Sequence, residues 1–204
     1  MNKDKNILHE YIPQDCVEPI VEWLHRNRVQ LRISRARNTK LGDFRAPQNG
    51  GHPRISVNHN LNIYAFLLTL VHEMAHVEVW KTKSIFRRIQ PHGKEWQDAF
   101  VRLITPFLNN TVFPSELLPV LNNYFKKPKA SSVSDQQLVK ALKRYDLPSE
   151  NPQLSDLEPG NQFLFRNSPF EVVKKQRSRY QCKSLQNNRL YLINGLAEVE
   201  KLEP

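Results

Sequence analysis

Residues 62–80, NIYAFLLTLVHEMAHVEVW, decide how the rest of the chain is read. Apolar side chains fall on nearly every side of a 3.6-residue repeat, which predicts a central, buried helix from Leu61 to about Lys81. Within it, His72-Glu73-Met74-Ala75-His76 matches H-E-x-x-H. Four residues advance about 400° along a helix, so both imidazoles leave one face, a turn apart. That separation suits two ligands of one Zn2+ at about 2.0–2.1 Å. Glu73 stands beside that line, where it can take a proton from an attacking water and later hand it to a leaving amine. Unpaired polar groups in so apolar a helix are costly, so a metal explains them better than burial alone.

A catalytic zinc site needs a third protein ligand and one open position. Two candidates follow in Pro91-His92-Gly93-Lys94-Glu95-Trp96. Glu95 would copy sites whose third ligand is a glutamate on the next helix. His92 lies just before that helix, beside a glycine that permits close backbone approach, and spacing slightly favours it. Glu78, two residues past His76, points away from the metal.

Outward from this core, Val17, Ile20, Val21 and Leu24 predict a helix from about Pro13 to Asn27. Leu31 and Ile33, then Leu41–Arg45, then Arg54–Asn58 read as three short strands, and their close succession suggests an antiparallel sheet. A helix is predicted over about His92–Leu108. Residues 109–128 read as loop with one short helix, and Ser134–Tyr145 as a helix capped by Ser134. Pro148–Pro159 reads as a linker. QFLFR, FEVVK, SRYQCKS, RLYLI and AEVEK then form five short strands with Asn-rich turns. They suggest a small SH3-like or OB-like barrel whose core is Leu164, Phe170, Val172, Tyr180, Leu190, Leu192 and Val199. The domains expected are 1–127, a helix and linker over 128–156, and a β module over 157–204.

The 204 residues include only two cysteines, Cys16 and Cys182, which excludes a disulfide scaffold and a thiolate-built zinc site. Cys182 reads as a packed core residue. Mean hydropathy is −0.60, and no apolar run reaches the roughly 18–20 residues of a membrane span. The opening MNKDKNILHE lacks the apolar core of a secretory signal, so a cytoplasmic location is expected. Thirty Lys and Arg against twenty Asp and Glu give a formal charge of +10, which suggests a polyanionic partner. The excess lies mostly in residues 1–127, with 18 basic against 11 acidic side chains. Arg32, Arg35 and Arg37, with Lys81, Lys83, Arg87 and Arg88, are candidate phosphate contacts. Lys174, Lys175, Arg177, Arg179 and Tyr180 resemble a basic–aromatic strand pair for single-stranded nucleic acid.

HEMAHVEVW followed by PHGKEW resembles the SprT-like metalloprotease family, in which H-E-x-x-H precedes a histidine, its glycine and an aromatic three residues beyond. LGDFRAP, the Ile-Ser-Val-Asn strand and the helix entering through LLTLVHE agree, so the resemblance covers roughly residues 13–127. It implies a zincin-like α+β domain holding one Zn2+ per chain through His72, His76 and His92, with Glu73 as the catalytic base. It also implies hydrolysis of proteins bound or crosslinked to DNA, single-stranded or at junctions, as in DNA repair. The four-cysteine zinc ribbon that follows many such domains has no counterpart here. Two other readings are a zinc-containing nucleic-acid-binding protein without catalysis and a general metallopeptidase without a DNA role.

Overall fold

A computed structural model describes residues 7–37, 39–48, 50–82, 90–129, 135–146 and 151–202. The chain forms two compact units, Met1–Asp146 and Leu147–Pro204. The first opens with α1 (Gln14–Arg26), whose stripe of Cys16, Val17, Ile20, Val21 and Leu24 is buried. Three strands follow: β1 (Gln30–Ser34), β2 (Gly42–Arg45) and β3 (Arg54–Asn58).

Their order is β1-β3-β2, with β1 parallel and β2 antiparallel to β3. The all-antiparallel sheet expected from close succession is therefore corrected. The reason lies in Asn58, which is 1% exposed. Its Nδ2 donates to the carbonyls of Arg37 (3.2 Å) and Lys40 (3.0 Å), and its Oδ1 accepts from Arg37 Nε (2.8 Å). These bonds pin the β1–β2 connection across the end of β3, so β3 takes the centre. Ile55 and Val57 are fully buried and point to one face of the sheet. Arg32, Asp43, Arg45, Arg54 and Ser56 alternate to the other.

The buried helix is α2 (Ile63–Thr82), apolar on nearly all sides as its sequence implied. Asn62 caps it, its Oδ1 accepting from the amides of Tyr64 (3.1 Å) and Ala65 (2.9 Å). Helix α3 (Lys94–Ile104) packs on α2 through Trp96 and Phe100, and a 3-10 turn, Thr105–Phe107, ends it earlier than expected. Helices α4 (Leu118–Phe125) and α5 (Gln136–Lys143) complete the unit. The cap of α5 is Asp135, whose side chain accepts from the Leu138 amide at 3.1 Å. Ser134 lies outside the described residues. Leu138 and Leu142 belong to the first unit's core, so α5 packs there.

The second unit is a five-stranded antiparallel sheet of order β7-β6-β5-β4-β8. Its strands are β4 (Gln162–Phe165), β5 (Ser168–Gln176), β6 (Arg179–Ser184), β7 (Leu190–Asn194) and β8 (Glu200–Lys201). β7 and β8 are the two edges, and no ladder closes between them among the described residues. Leu154, Leu157, Phe163, Phe170, Val172, Tyr180, Cys182, Ile193 and Val199 form its core. Two strands thus face the opposite way from the sequence expectation. Phe163 is buried instead of Leu164, while Leu190 and Leu192 are 57% and 52% exposed. A one-residue error in a period-2 pattern exchanges the faces, and LYLI is apolar at every position. Leu154, inside the stretch read as linker, anchors a 3-10 turn in this core. Among the described residues, no helix is long and apolar enough to cross a membrane.

Candidate metal centre

His72 and His76 project from one face of α2, their Nε2 atoms 3.2 Å apart. His92 comes from the turn before α3, with a left-handed φ of 56°. Gly93 follows it, and a Cβ there would lie 3.0 Å from the Gln90 carbonyl oxygen. That tight turn carries the His92 ring over α2, with Nε2 3.0 Å from His76 and 3.3 Å from His72. Tetrahedral coordination at about 2.0–2.1 Å sets neighbouring ligand nitrogens roughly 3.3–3.4 Å apart. The triad lies within a few tenths of an ångström of that spacing. Three neutral imidazoles in the Nδ1–H tautomer would aim their Nε2 lone pairs at one point, which is the donor set a single cation takes. Among the described residues these histidines are the one such cluster, and Glu95 is not part of it.

The surroundings keep the rings neutral. Burial lowers the His72 pKa to about 3, reinforced by its two histidine neighbours. Burial, then His92, lowers His76 to about 4, and burial lowers His92 as well. Trp96, fully buried, floors the site with its ring 4.6 Å from His72 and 4.8 Å from His92, and its Nε1 donates to the His72 carbonyl at 3.4 Å. Phe44 of β2 lies parallel to the His76 ring at 6.5 Å.

These shifts set an acid limit on the metal-free protein. Unfolded histidines titrate near the ordinary 6.5, while His72 and His76 in the fold do so near 3 and 4. Between those values the unfolded chain binds more protons, so stability falls as pH drops. Chelator-treated protein is expected to be most stable above pH 6.5 and to lose a few kcal/mol by about pH 4.5. Urea unfolding across that range measures it. His76→Gln should flatten the slope, and an unchanged slope would remove His76 from this account.

Glu73 turns toward β2 and is 6% exposed. Burial, then the Asp43 charge, raises its pKa to about 8, against the Phe44 amide, which donates to it, and the charges of Arg37 and Lys40. A cation at the triad would favour its ionised form. A Cβ on Gly42 would stand 2.6 Å from Glu73 Oε1 and 2.8 Å from Thr69 Cγ2. Glycine at that position lets the β2 backbone reach the carboxylate. Sequence reading passed over Gly42, although a glycine inside a strand signals close approach. A cavity of about 450 Å3 opens above the site, lined by Arg37, Lys40, Asp43, Phe44, His92 and Tyr124 among others.

The remaining candidates are dispersed. Arg32 and Arg35 are exposed. The Arg37 guanidinium is occupied by Asn58 Oδ1 and Ser56 Oγ (3.1 Å). Lys81 Nζ donates to Asn27 Oδ1 at 2.8 Å, and Lys83, Arg87 and Arg88 lie outside the described residues. Glu78 points away from the triad, accepting from Trp23 Nε1 (3.3 Å) and pairing with Arg102. Tyr180 is buried, so the basic strands of the second unit lack that ring for stacking. Burial pushes the Cys16 and Cys182 thiols up to about 12 and 11, which suits packed core residues.

The model of the SprT-like family matches residues 6–113. Comparison with curated proteins and with solved structures returns no match.

Proposed function

The chain belongs to the SprT-like family, which is zinc metalloprotease-related, and from that premise we propose that it is a zinc-dependent peptidase of zincin-like architecture acting on DNA-bound or DNA-crosslinked proteins. The observation that carries the peptidase reading is the convergence of three neutral histidines beside a buried glutamate. His72, His76 and His92 would hold the ion through Nε2. When bound, Zn2+ supplies Lewis acidity, acidifying water and polarising the scissile carbonyl. Glu73 accepts the proton of the attacking water on its carboxylate and returns it to the leaving amine nitrogen. Burial raises its pKa and a bound cation would lower it again, so the carboxylate could be ionised to accept the proton and still be a strong enough acid to return it. The Phe44 amide fixes the carboxylate, and Trp96 and Phe44 restrain the imidazoles.

Gly42→Ala tests this positioning without touching a ligand. The added methyl would displace the carboxylate, and a shift of about 1 Å can cost roughly a hundredfold in rate. Cleavage is expected to fall by about that factor with metal content unchanged. Unaltered cleavage would mean that the approach of β2 does not orient Glu73.

The DNA part rests on the +10 charge and on the exposed arginines of the first unit. Retention on a strand raises the local concentration of proteins bound there, giving selectivity without a specific subsite. Changing Arg32 and Arg35 together to alanine is expected to reduce the salt slope of single-strand binding by about 0.7 per lost contact. Cleavage of a DNA-bound protein should fall in parallel, while cleavage of a free unfolded protein should not. The deciding assay compares both substrates with and without single-stranded DNA over a salt series. Equal rates on both, with no DNA affinity, would leave a peptidase without a DNA role.

A further inference from the structure

The cavity above the histidines is uneven in character, and α2 explains why. Leu68, His72 and His76 recur every four residues and so share one line along the helix, while Thr69 and Glu73 share the next. β2 lies over the second line, since a Cβ on Gly42 would meet both Thr69 and Glu73. α3 lies against the first, with the Phe100 ring 5.6 Å from His72. Leu68, one helical turn before the triad, lines the cavity together with Phe100, Tyr124 of α4 and Leu138 of α5. All four belong to the apolar core of the first unit. Tyr124 and Leu138 lie beyond residue 113, where the match to the family ends, so half of this wall comes from outside the matched segment.

The wall is fixed, and its four side chains carry no charge. The Tyr124 hydroxyl donates to the Lys129 carbonyl at 3.1 Å, and Gln97 Nε2 of α3 donates to the Pro128 carbonyl at 3.2 Å. Lys129 Nζ pairs at 3.0 Å with Asp135, the cap of α5. Burial pushes the Tyr124 phenol up to about 12, so it stays neutral. The charges of the cavity belong to β2 and the segment before it. There Lys40 pairs with Asp43 at 2.7 Å, and Asn58 and Ser56 hold Arg37. A charged side chain entering beside Leu68 would give up water for carbon and an engaged phenol, whereas an apolar one gains by leaving water.

We propose that Leu68, Phe100, Tyr124 and Leu138 form a specificity pocket for a large apolar side chain, leucine or phenylalanine, of a substrate residue flanking the scissile bond. The pocket chooses the bond that is cut, whereas retention on DNA would choose the protein. The proposal rests on the peptidase reading, so binding is measured beside cleavage to separate the two. The probes are glycine–serine peptides with one central guest residue: alanine, leucine, phenylalanine, lysine or glutamate. The zinc-loaded full-length chain is assayed for kcat/KM, with cut sites mapped by mass spectrometry. The zinc-loaded Glu73→Gln chain is titrated with the same peptides by fluorescence anisotropy. Cuts beside leucine or phenylalanine are expected to exceed those beside alanine by at least about tenfold, and the charged guests should be poorest. Binding should follow the same order. Leu138→Ala, or Leu68→Ala if that variant does not fold, should lower the leucine-to-alanine ratio severalfold. A merely structural defect slows every peptide alike and leaves the ratio unmoved. Cleavage without the apolar preference overturns the pocket and leaves the peptidase standing, as does an unchanged ratio in a folded variant. Selective binding without cleavage overturns the peptidase reading and leaves the pocket. Neither cleavage nor selective binding overturns both.

Discussion

Glu73→Gln is expected to retain its metal and to cleave peptide bonds about 10²–10⁴-fold more slowly than the wild type. Glutamine is nearly isosteric and can still be held in the pocket beside Gly42. It cannot accept a proton from water at neutral pH, so only the general-base contribution disappears. The Phe44 amide can still donate to the glutamine side-chain oxygen, which keeps the backbone of β2 in place. The experiment pairs metal analysis with cleavage of an unfolded protein substrate. A glutamine variant cleaving at the wild-type rate would remove Glu73 from the mechanism. Loss of metal along with activity would make Glu73 a support of the site instead of its base.

His92→Ala should lower metal affinity by more than about a hundredfold and abolish cleavage, since even partners behind the ligands are worth about 10–100-fold. His72→Ala and His76→Ala should do the same, whereas Glu95→Ala should leave the metal in place. Thermal unfolding supplies a readout independent of activity. Ligand bound only to the folded state stabilises by about 4 kcal/mol at a thousandfold excess over Kd. Adding a chelator should therefore lower the Tm of wild type and of Glu95→Ala, but not that of His92→Ala. If Glu95→Ala empties the site and His92→Ala leaves it full, the ligand assignment is wrong.

Much of the centre was legible in residues 62–80, because helical spacing is local geometry. Once the run is a helix, His72 and His76 must share a face and Glu73 must stand beside them, whatever the rest of the chain does. The choice between His92 and Glu95 is different. His92 lies just before α3 and Glu95 in its first turn. Spacing favoured His92 only slightly and the family resemblance named it, while the left-handed backbone at His92 and the turn through Gly93 are what carry that ring to α2. The role of Gly42 was equally hidden, because it depends on how closely an edge strand approaches a helix that begins some twenty residues later.

The second unit divides in the same way. Five strands and their turns could be read from alternation and from Asn-rich connections. The buried face of β7 could not, because LYLI offers apolar side chains to both sides and local pattern carries no preference between them. Likewise β1, β2 and β3 were each visible as strands, while their order and the parallel pairing of β1 with β3 depended on Asn58 binding the connection that crosses it. The sequence by itself determined the elements and the pair of histidines one helical turn apart, since these follow from periods of a few residues. The tertiary structure alone decided which face of a strand is buried, which strand is central and how His92 is brought against the other two histidines. Those depend on contacts between segments far apart in the chain, which no local period encodes.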